Sequence, residues 1–362
     1  MKILVLGGTG AIGVDLVQIL ADRGSEVHVT SRQERKSKHR NIIYIKGNAQ
    51  NKKFLDSLLI TKYDAIVDFM SYDTDTFAER VGSLLDHTKQ YVYLSSSRVY
   101  ADIEGKLITE ESDRLLDTIN DKEYLSTDEY ALTKARQEDI LKTSGKTNWT
   151  IVRPYITYSN IRLQLGIFEK ELWLYRALKG RTIVFGEDVA AKYTTLTLGR
   201  NVALALADII GNNNCIGQIY HLAQDNFVKW ENVLKLYLDV IEKKTKKRPK
   251  VLMTESLVTA GAVTGRTYQL IYDRYYNRRF DSSKIDAVST AMRDAVLVDS
   301  GLSKCLEEFL DGNQSFREMS WNYEGYADKL TGEHTPLKEI PGMKNKIKYL
   351  VARYTKYFER WG

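Results

Sequence analysis

The chain predicts an α/β fold: a doubly wound parallel sheet with a smaller C-terminal lobe. Three observations carry this. The first thirty-two residues read as strand, glycine loop, helix and strand. Strands and helices then alternate at short spacing as far as Pro154, the pattern of a parallel sheet covered on both faces. Finally, 43% apolar and 28% charged residues over 362 positions describe a globular chain with room for two domains.

The elements follow in order. Lys2-Ile3-Leu4-Val5-Leu6 is an apolar run long enough for one buried strand. Gly7-Gly8-Thr9-Gly10-Ala11-Ile12-Gly13 follows at once, and Val14, Leu16, Val17, Ile19 and Leu20 then recur at helical spacing up to a capping Gly24. A second strand is expected over 27–30, a third over 41–45, a helix over 54–59, a strand over 64–69, a helix over 76–85 and a strand over 90–94. The next helix is expected over 128–141, capped by Thr127 or Asp128. A strand over 149–154 is stopped by Pro154. Helices over 168–178, 198–210 and 230–243 and strands over 182–185, 217–222 and 251–253 come next. Beyond residue 255 only 303–310 and 343–360 read as helical. Residues 1–165, completed by about 187–225, form the expected dinucleotide-binding domain. Residues 166–186 and 226–362 form the expected substrate lobe.

Strand, glycine loop and helix together are the setting in which a glycine fingerprint binds a dinucleotide, in a Rossmann-type fold. Gly8, Gly10 and Gly13 give GxGxxG; Gly7, Gly10 and Gly13 give GxxGxxG. A pyrophosphate must meet backbone N–H groups at a helix N-terminus, where the dipole favours negative charge. A Cβ at Gly8 or Gly10 is expected to block that approach, and one at Gly13 to push the helix off the sheet. At the end of the second strand stand Ser31-Arg32-Gln33-Glu34-Arg35-Lys36, with no carboxylate at the strand end. A carboxylate repels a 2′-phosphate; a guanidinium binds one through two parallel hydrogen bonds. The cofactor therefore reads as NADP(H), with Arg32 the first contact and Arg35 the next, and NAD as the alternative.

No apolar run approaches the ~20 residues of a membrane span, and Met1 leads straight into a strand, so neither membrane nor signal peptide is expected. Cys215 and Cys305 form no CxxC, and the five histidines show no ligand spacing. No metal is expected, and a reducing cytoplasm is the expected home. The formal charge of +6 suits a polyanionic small substrate or a nucleic acid, and its sign alone does not choose. The densest basic run, residues 243–250, ends a helical pattern and reads as a solvated helix end.

Tyr130-Ala131-Leu132-Thr133-Lys134 is a YxxxK, which puts both side chains on one face of a helix. A tyrosine, with a free pKa of ~10, is a poor base at neutral pH; a neighbouring ammonium favours its phenolate. It can then take a proton from a sugar hydroxyl while hydride leaves the same carbon for a nicotinamide. Ser95-Ser96-Ser97-Arg98-Val99-Tyr100 lies at a strand end about thirty residues earlier, where a hydroxyl can hold the substrate oxygen.

In these motifs the chain resembles the extended short-chain dehydrogenase/reductase family, of the NAD-dependent epimerase/dehydratase type. The likeness covers roughly residues 1–235 and is weaker beyond. It implies a catalytic triad of Ser96 (three before Val99), Tyr130 and Lys134, with Lys134 also on the nicotinamide ribose. The family's R-P-x-N-x-Y-G stretch falls on Arg153 to Ser159, and its adenine-binding G-D pair on Gly47-Asn48. The candidate cofactor residues are Gly7, Gly10, Ala11, Ile12, Gly13, Arg32, Asn48, Met70, Lys134 and Tyr155. Ile156, Ser159, Ala101 and Leu198-Gly199 depart from the family pattern. Ser97-Arg98 replaces the Asp-Glu pair with which nucleotide-sugar 4,6-dehydratases remove water, which argues against a dehydratase. The expected activity is that of an NAD(P)-dependent epimerase or ketoreductase acting on a nucleotide-linked sugar. The alternative is a non-catalytic member that binds RNA or a regulatory partner. A stretch of tyrosines and arginines from Tyr268 to Arg279 is read either as a contact to base and diphosphate or as a surface element. The resemblance also implies a homodimer joined through the 76–85 and 128–141 helices, with Leu132, Ile140 and Leu141 as seam candidates.

Overall fold

The computed structural model describes residues 1–312, 315–317 and 319–355. The chain forms two compact units. The first comprises residues 1–157, 195–226 and 279–296; the second comprises 158–194, 227–278 and 297–362. Residues 279–296 thus fall in the first unit, whereas the sequence reading carried the whole of 226–362 into the lobe.

The first unit is built on seven parallel strands: β1 (Lys2–Leu6), β2 (Glu26–Ser31), β3 (Ile42–Lys46), β4 (Tyr63–Asp68), β5 (Thr88–Leu94), β6 (Trp149–Pro154) and β7 (Ile219–Leu222). Their order is β7-β6-β5-β4-β1-β2-β3, with every pairing parallel. The order reverses at β1, and the crevice between β1 and β4 is where such sheets take their ligands. In register, Leu6 pairs with Asp68 and Asp68 with Tyr93, so the ends of β1, β4 and β5 share one rim.

Helices α1 (Gly13–Asp22), α2 (Lys52–Leu58), α3 (Thr74–Asp86), α4 (Tyr130–Lys142) and α5 (Gly199–Ile209) cover the two faces. Successive strand side chains point to opposite faces. Ile3 and Val5 accordingly join Leu16, Leu20, Val202 and Leu206 in one core, and Leu4 and Leu6 join Leu55, Phe77, Leu84 and Leu141 in the other. Gly24, at φ +87°, stops α1, and the Ser25 N–H returns to Leu20 O at 3.0 Å.

Helix α4 starts two residues later than its sequence suggests. Glu129, not Thr127 or Asp128, caps it by accepting the Ala131 N–H at 2.8 Å. The Asp128 carboxylate is engaged by the Thr74 hydroxyl at 2.8 Å and by Arg136 at 3.2 Å. The dimer-seam candidates Leu132 and Leu141 are fully buried within the chain, because α4 turns its apolar residues onto the sheet. The outward positions of α3 are Asp75, Ala78, Glu79, Gly82 and Asp86, which offer no apolar stripe.

The second unit pairs two short parallel strands, Ile183–Gly186 and Val251–Thr254. Around them stand helices Lys170–Leu178, Trp230–Thr245, Val258–Thr264, Val298–Asp311, Trp321–Thr331 and Met343–Tyr354. The expected helix over 343–360 is described as far as Tyr354; residues 356–360 lie outside the described residues. Helices Val258–Thr264 and Trp321–Thr331 were not anticipated. Arg176, fully buried, meets Glu324 at 2.9 Å, Asp328 at 3.0 Å and Glu333 at 3.1 Å.

Burial pushes the Glu324 carboxyl up to about 7, against the pull of Arg176. A carboxyl that binds its proton more tightly when folded stabilises the fold at low pH, and that contribution is lost as pH rises through the folded value. Asp328 and Glu333 are held below the ordinary carboxylate range, although burial acts to raise both, so they change little above pH 5. In urea unfolding between pH 5 and 8, the stability of the native chain minus that of Glu324→Gln is expected to fall by about 2 kcal/mol. Parallel curves for the two proteins would refute this.

Candidate functional site

The glycine loop runs from the end of β1 into α1 at the sheet's crossing point. Gly7 adopts φ +73°, a conformation that L side chains rarely take, and its N–H donates to Thr30 Oγ1 at 2.9 Å. A Cβ at Gly13 would lie 2.7 Å from the Gly8 backbone, so this glycine lets the helix sit against the loop, whereas its expected role was to let the helix sit on the sheet. Gly8 differs from expectation. A Cβ there would strike Val5, Val29 and Val17 in the core, so Gly8 is small for packing and not for ligand approach. Gly10 faces open space, with nothing within 4 Å of a Cβ placed on it. Ala11 and Ile12 lead into α1, which begins at Gly13 and has no side-chain cap at Ile12, and the first N–H groups of a helix lack the acceptors of a preceding turn. The loop therefore fits a diphosphate: open space beside Gly10, and a helix N-terminus behind it.

Other cofactor candidates are spread around this rim. Arg32 is exposed just past the end of β2. Asn48 is exposed, and its Oδ1 is taken by the Gln50 N–H at 3.1 Å in a local turn. Met70 follows β4, and its sulfur would lie 2.9 Å from a Cβ on Gly7, so it flanks the loop. Tyr155 is buried, its ring centroid 5.2 Å from that of Phe280.

The three consecutive serines after β5 have different partners. Ser95 Oγ donates to Glu138 Oε1 at 2.6 Å, and Ser97 Oγ donates to Arg153 O at 2.6 Å. Ser96 Oγ accepts the Arg98 N–H at 3.2 Å, which leaves its own proton to give. Tyr130, the first residue of α4, is 43% exposed. Lys134, one turn on, is buried and donates to Leu94 O at 2.7 Å, next to the serines. Its Nζ lies 4.7 Å from the Tyr93 ring centroid and 5.9 Å from that of Tyr130.

Burial pulls the Lys134 ammonium down to about 8, with Asp68 and Glu138 acting in the opposite sense. Asp68, at the end of β4, accepts the Met70 N–H and the Tyr91 hydroxyl, both at 2.9 Å; burial pushes its carboxyl up to about 6. Burial also acts to raise Glu138, but Arg153, bonded at 2.6 and 2.8 Å, holds it below the ordinary range.

Asp68, Glu129 and Glu138 were not singled out from sequence, and Arg98 was noted only for standing with Ser97 in place of an Asp-Glu pair. Glu138 lies eight residues after Tyr130 and four after Lys134, a helical spacing that offers a signal; Asp68 stands at a strand end on the ligand rim. The Tyr268–Arg279 stretch is partly internal: Arg274 and Arg278 are buried, and both pair with Asp273, Arg278 at 2.9 Å.

A parallel sheet reversing at β1, a glycine loop leading into a helix N-terminus, and a serine, tyrosine and lysine on adjoining elements give the chain a Rossmann-type α/β fold. The chain belongs to the NAD dependent epimerase/dehydratase family, whose model matches residues 3–183. It is 24% identical over 249 residues to the chloroplast stem-loop binding protein of 41 kDa b from Arabidopsis thaliana; the match takes in 65% of this chain and 61% of that relative's length. Among solved structures it resembles the Bordetella bronchiseptica enzyme WbmH in complex with NAD+, with a TM-score of 0.63 and 16% identity over 86% of this chain and 98% of that one. It also resembles UDP-glucuronic acid 4-epimerase from Bacillus cereus in complex with UDP-glucuronic acid and NAD, with a TM-score of 0.62 and 15% identity over 85% of this chain and all of that one. At these identities the likeness is one of fold.

Proposed function

We propose that this chain is an NAD(P)-dependent enzyme acting on a nucleotide-linked sugar, as an epimerase or a ketoreductase. The observation that carries the reading is Lys134, whose Nζ lies 5.9 Å from the Tyr130 ring centroid and bonds Leu94 O at 2.7 Å, two residues before Ser96 at the end of β5. Family membership and the sugar-nucleotide enzymes among the structural neighbours point the same way. Gly7, Gly10, Ala11, Ile12 and Gly13 would hold the diphosphate, and a bound nicotinamide would accept or return hydride at the sugar carbon. Tyr130 takes or returns the proton at the oxygen of that carbon. Ser96 donates a hydrogen bond to the same oxygen. Lys134 favours the Tyr130 phenolate and reaches the cofactor ribose.

Arg32 supports NADP(H) over NAD in this reading. Arg32→Glu is expected to weaken NADP binding at least tenfold and leave NAD binding within about threefold, measured by fluorescence titration. Equal losses for both cofactors would remove Arg32 from the site.

The deciding experiment incubates the protein with UDP-, GDP- and dTDP-sugars and each cofactor, and follows products by mass and NMR. Equal-mass products indicate epimerisation; a change of two hydrogens indicates net redox. One observation favours a second reading, RNA binding: the likeness to a stem-loop binding protein. No turnover across the panel, together with stem-loop RNA binding that collapses as salt rises, would replace the first reading with the second.

A further inference from the structure

We infer that Arg98 is a positioning residue that sets how readily Tyr130 gives up its proton; the inference deepens the reading above and rests on Tyr130 being the proton-transfer group. The short turn Ser97–Val99 follows β5 and places the Arg98 guanidinium carbon 5.4 Å from the Tyr130 ring centroid. Lys134 Nζ lies 5.9 Å from the same centroid. Cations within about 6 Å of an aromatic ring are attracted to it, and loss of the phenol proton adds a full negative charge for both to meet. This phenol therefore has two cationic neighbours where YxxxK alone supplies one.

Arg98 is held in place. Its Nη2 meets Glu129 Oε1 at 2.6 Å, and both side chains are mostly buried, at 13% and 16% exposure. Glu129 Oε2 in turn accepts the Ala131 N–H at 2.8 Å and the Tyr124 hydroxyl at 3.1 Å. The pair thus ties the turn after β5 to the cap of the helix that begins with Tyr130. Burial at this level weakens solvent screening, so the pair acts on its neighbours more strongly than a surface pair does.

The charges around Tyr130 have opposing signs. Arg98, from the turn, and Lys134, from the helix, favour the phenolate; Glu129, one residue before Tyr130, opposes it. Tyr93, facing from β5, stays neutral, because burial pushes its phenol well above the ordinary value. Asp68 and Glu138 act on Lys134. A role in charge placement therefore predicts shifts of opposite sign from the two members of one ion pair. A purely structural clamp predicts the same effect from breaking it at either end.

The test is a ligand-free NMR titration of protein labelled at tyrosine Cζ, with the Tyr130 resonance identified by its loss in Tyr130→Phe. Arg98→Met is expected to raise the Tyr130 midpoint by about half to one pH unit, and Arg98→Lys to raise it by less. Glu129→Gln is expected to lower it. In the active enzyme the acid limb of kcat/KM moves with the midpoint. Should Arg98→Met fail to fold, the Arg98→Lys and Glu129→Gln pair still gives the two signs. An unmoved midpoint in folded Arg98 variants, or shifts of one sign from both ends of the pair, would overturn the inference. The titration needs no turnover, so sugar interconversion with a midpoint indifferent to Arg98 overturns only this inference. An inert protein across the nucleotide-sugar panel overturns the proposed function, whatever the titration reads.

Discussion

Tyr130→Phe is expected to lower kcat for sugar interconversion by about 10²–10⁴-fold, the usual contribution of a positioned proton-transfer group. The change removes one oxygen from a side chain that is 43% exposed, so no buried cavity forms and the fold is kept. Cofactor affinity should stay within about twofold, because the glycine loop lies on another element. KM should change little, since the lost interaction strengthens only as the proton moves. The measurements are steady-state kinetics by product NMR and a cofactor titration by fluorescence. Activity within threefold of the native enzyme would remove Tyr130 from the mechanism.

Arg176→Met is expected to destabilise the second unit by about 3–5 kcal/mol at pH 8, the usual cost of leaving a buried charge without its partner. Arg176 is fully buried against Glu324 and Asp328, which are fully buried too. Removing the guanidinium strands their charge, whereas methionine fills most of the volume. The loss should shrink at pH 5, where the carboxyls can take up protons in place of the missing cation. Urea unfolding at the two pH values reads this directly. A loss independent of pH would assign the effect to packing, and a loss below about 1 kcal/mol would show that water reaches the cluster.

Features encoded by neighbouring residues were legible. β1, the glycine loop and α1 depend on an apolar run, glycine spacing and helical periodicity within some twenty residues. β6 matches its expected span because Pro154 ends it. Features that depend on distant partners were not. Helix Trp321–Thr331 buries Glu324 and Asp328, charged residues that any pattern reading turns outward, and the arginine that neutralises them lies 148 and 152 positions away. The Arg98–Glu129 pair spans 31 positions and two elements, so neither residue marks itself. Gly8 shows a different limit. Its spacing suits diphosphate approach, but in the fold Val5 and Val29 occupy the space a side chain would need. The serines show a third. Three identical hydroxyls differ only in what each one meets, and two of those partners, Glu138 and Arg153, lie on later elements.

The first unit is assembled from three separated stretches, 1–157, 195–226 and 279–296, and this has a consequence for synthesis. As the polypeptide leaves the ribosome, β1 to β6 emerge long before β7 and α5. The sheet then has an unpaired border and one apolar side short of a covering helix, both prone to sticking to other chains. That exposure ends only after residue 222, and Asn201, whose Nδ2 bonds Ala291 O at 2.9 Å, waits some seventy residues more for its partner. A piece cut at residue 183, where the family match stops, would lack both covers.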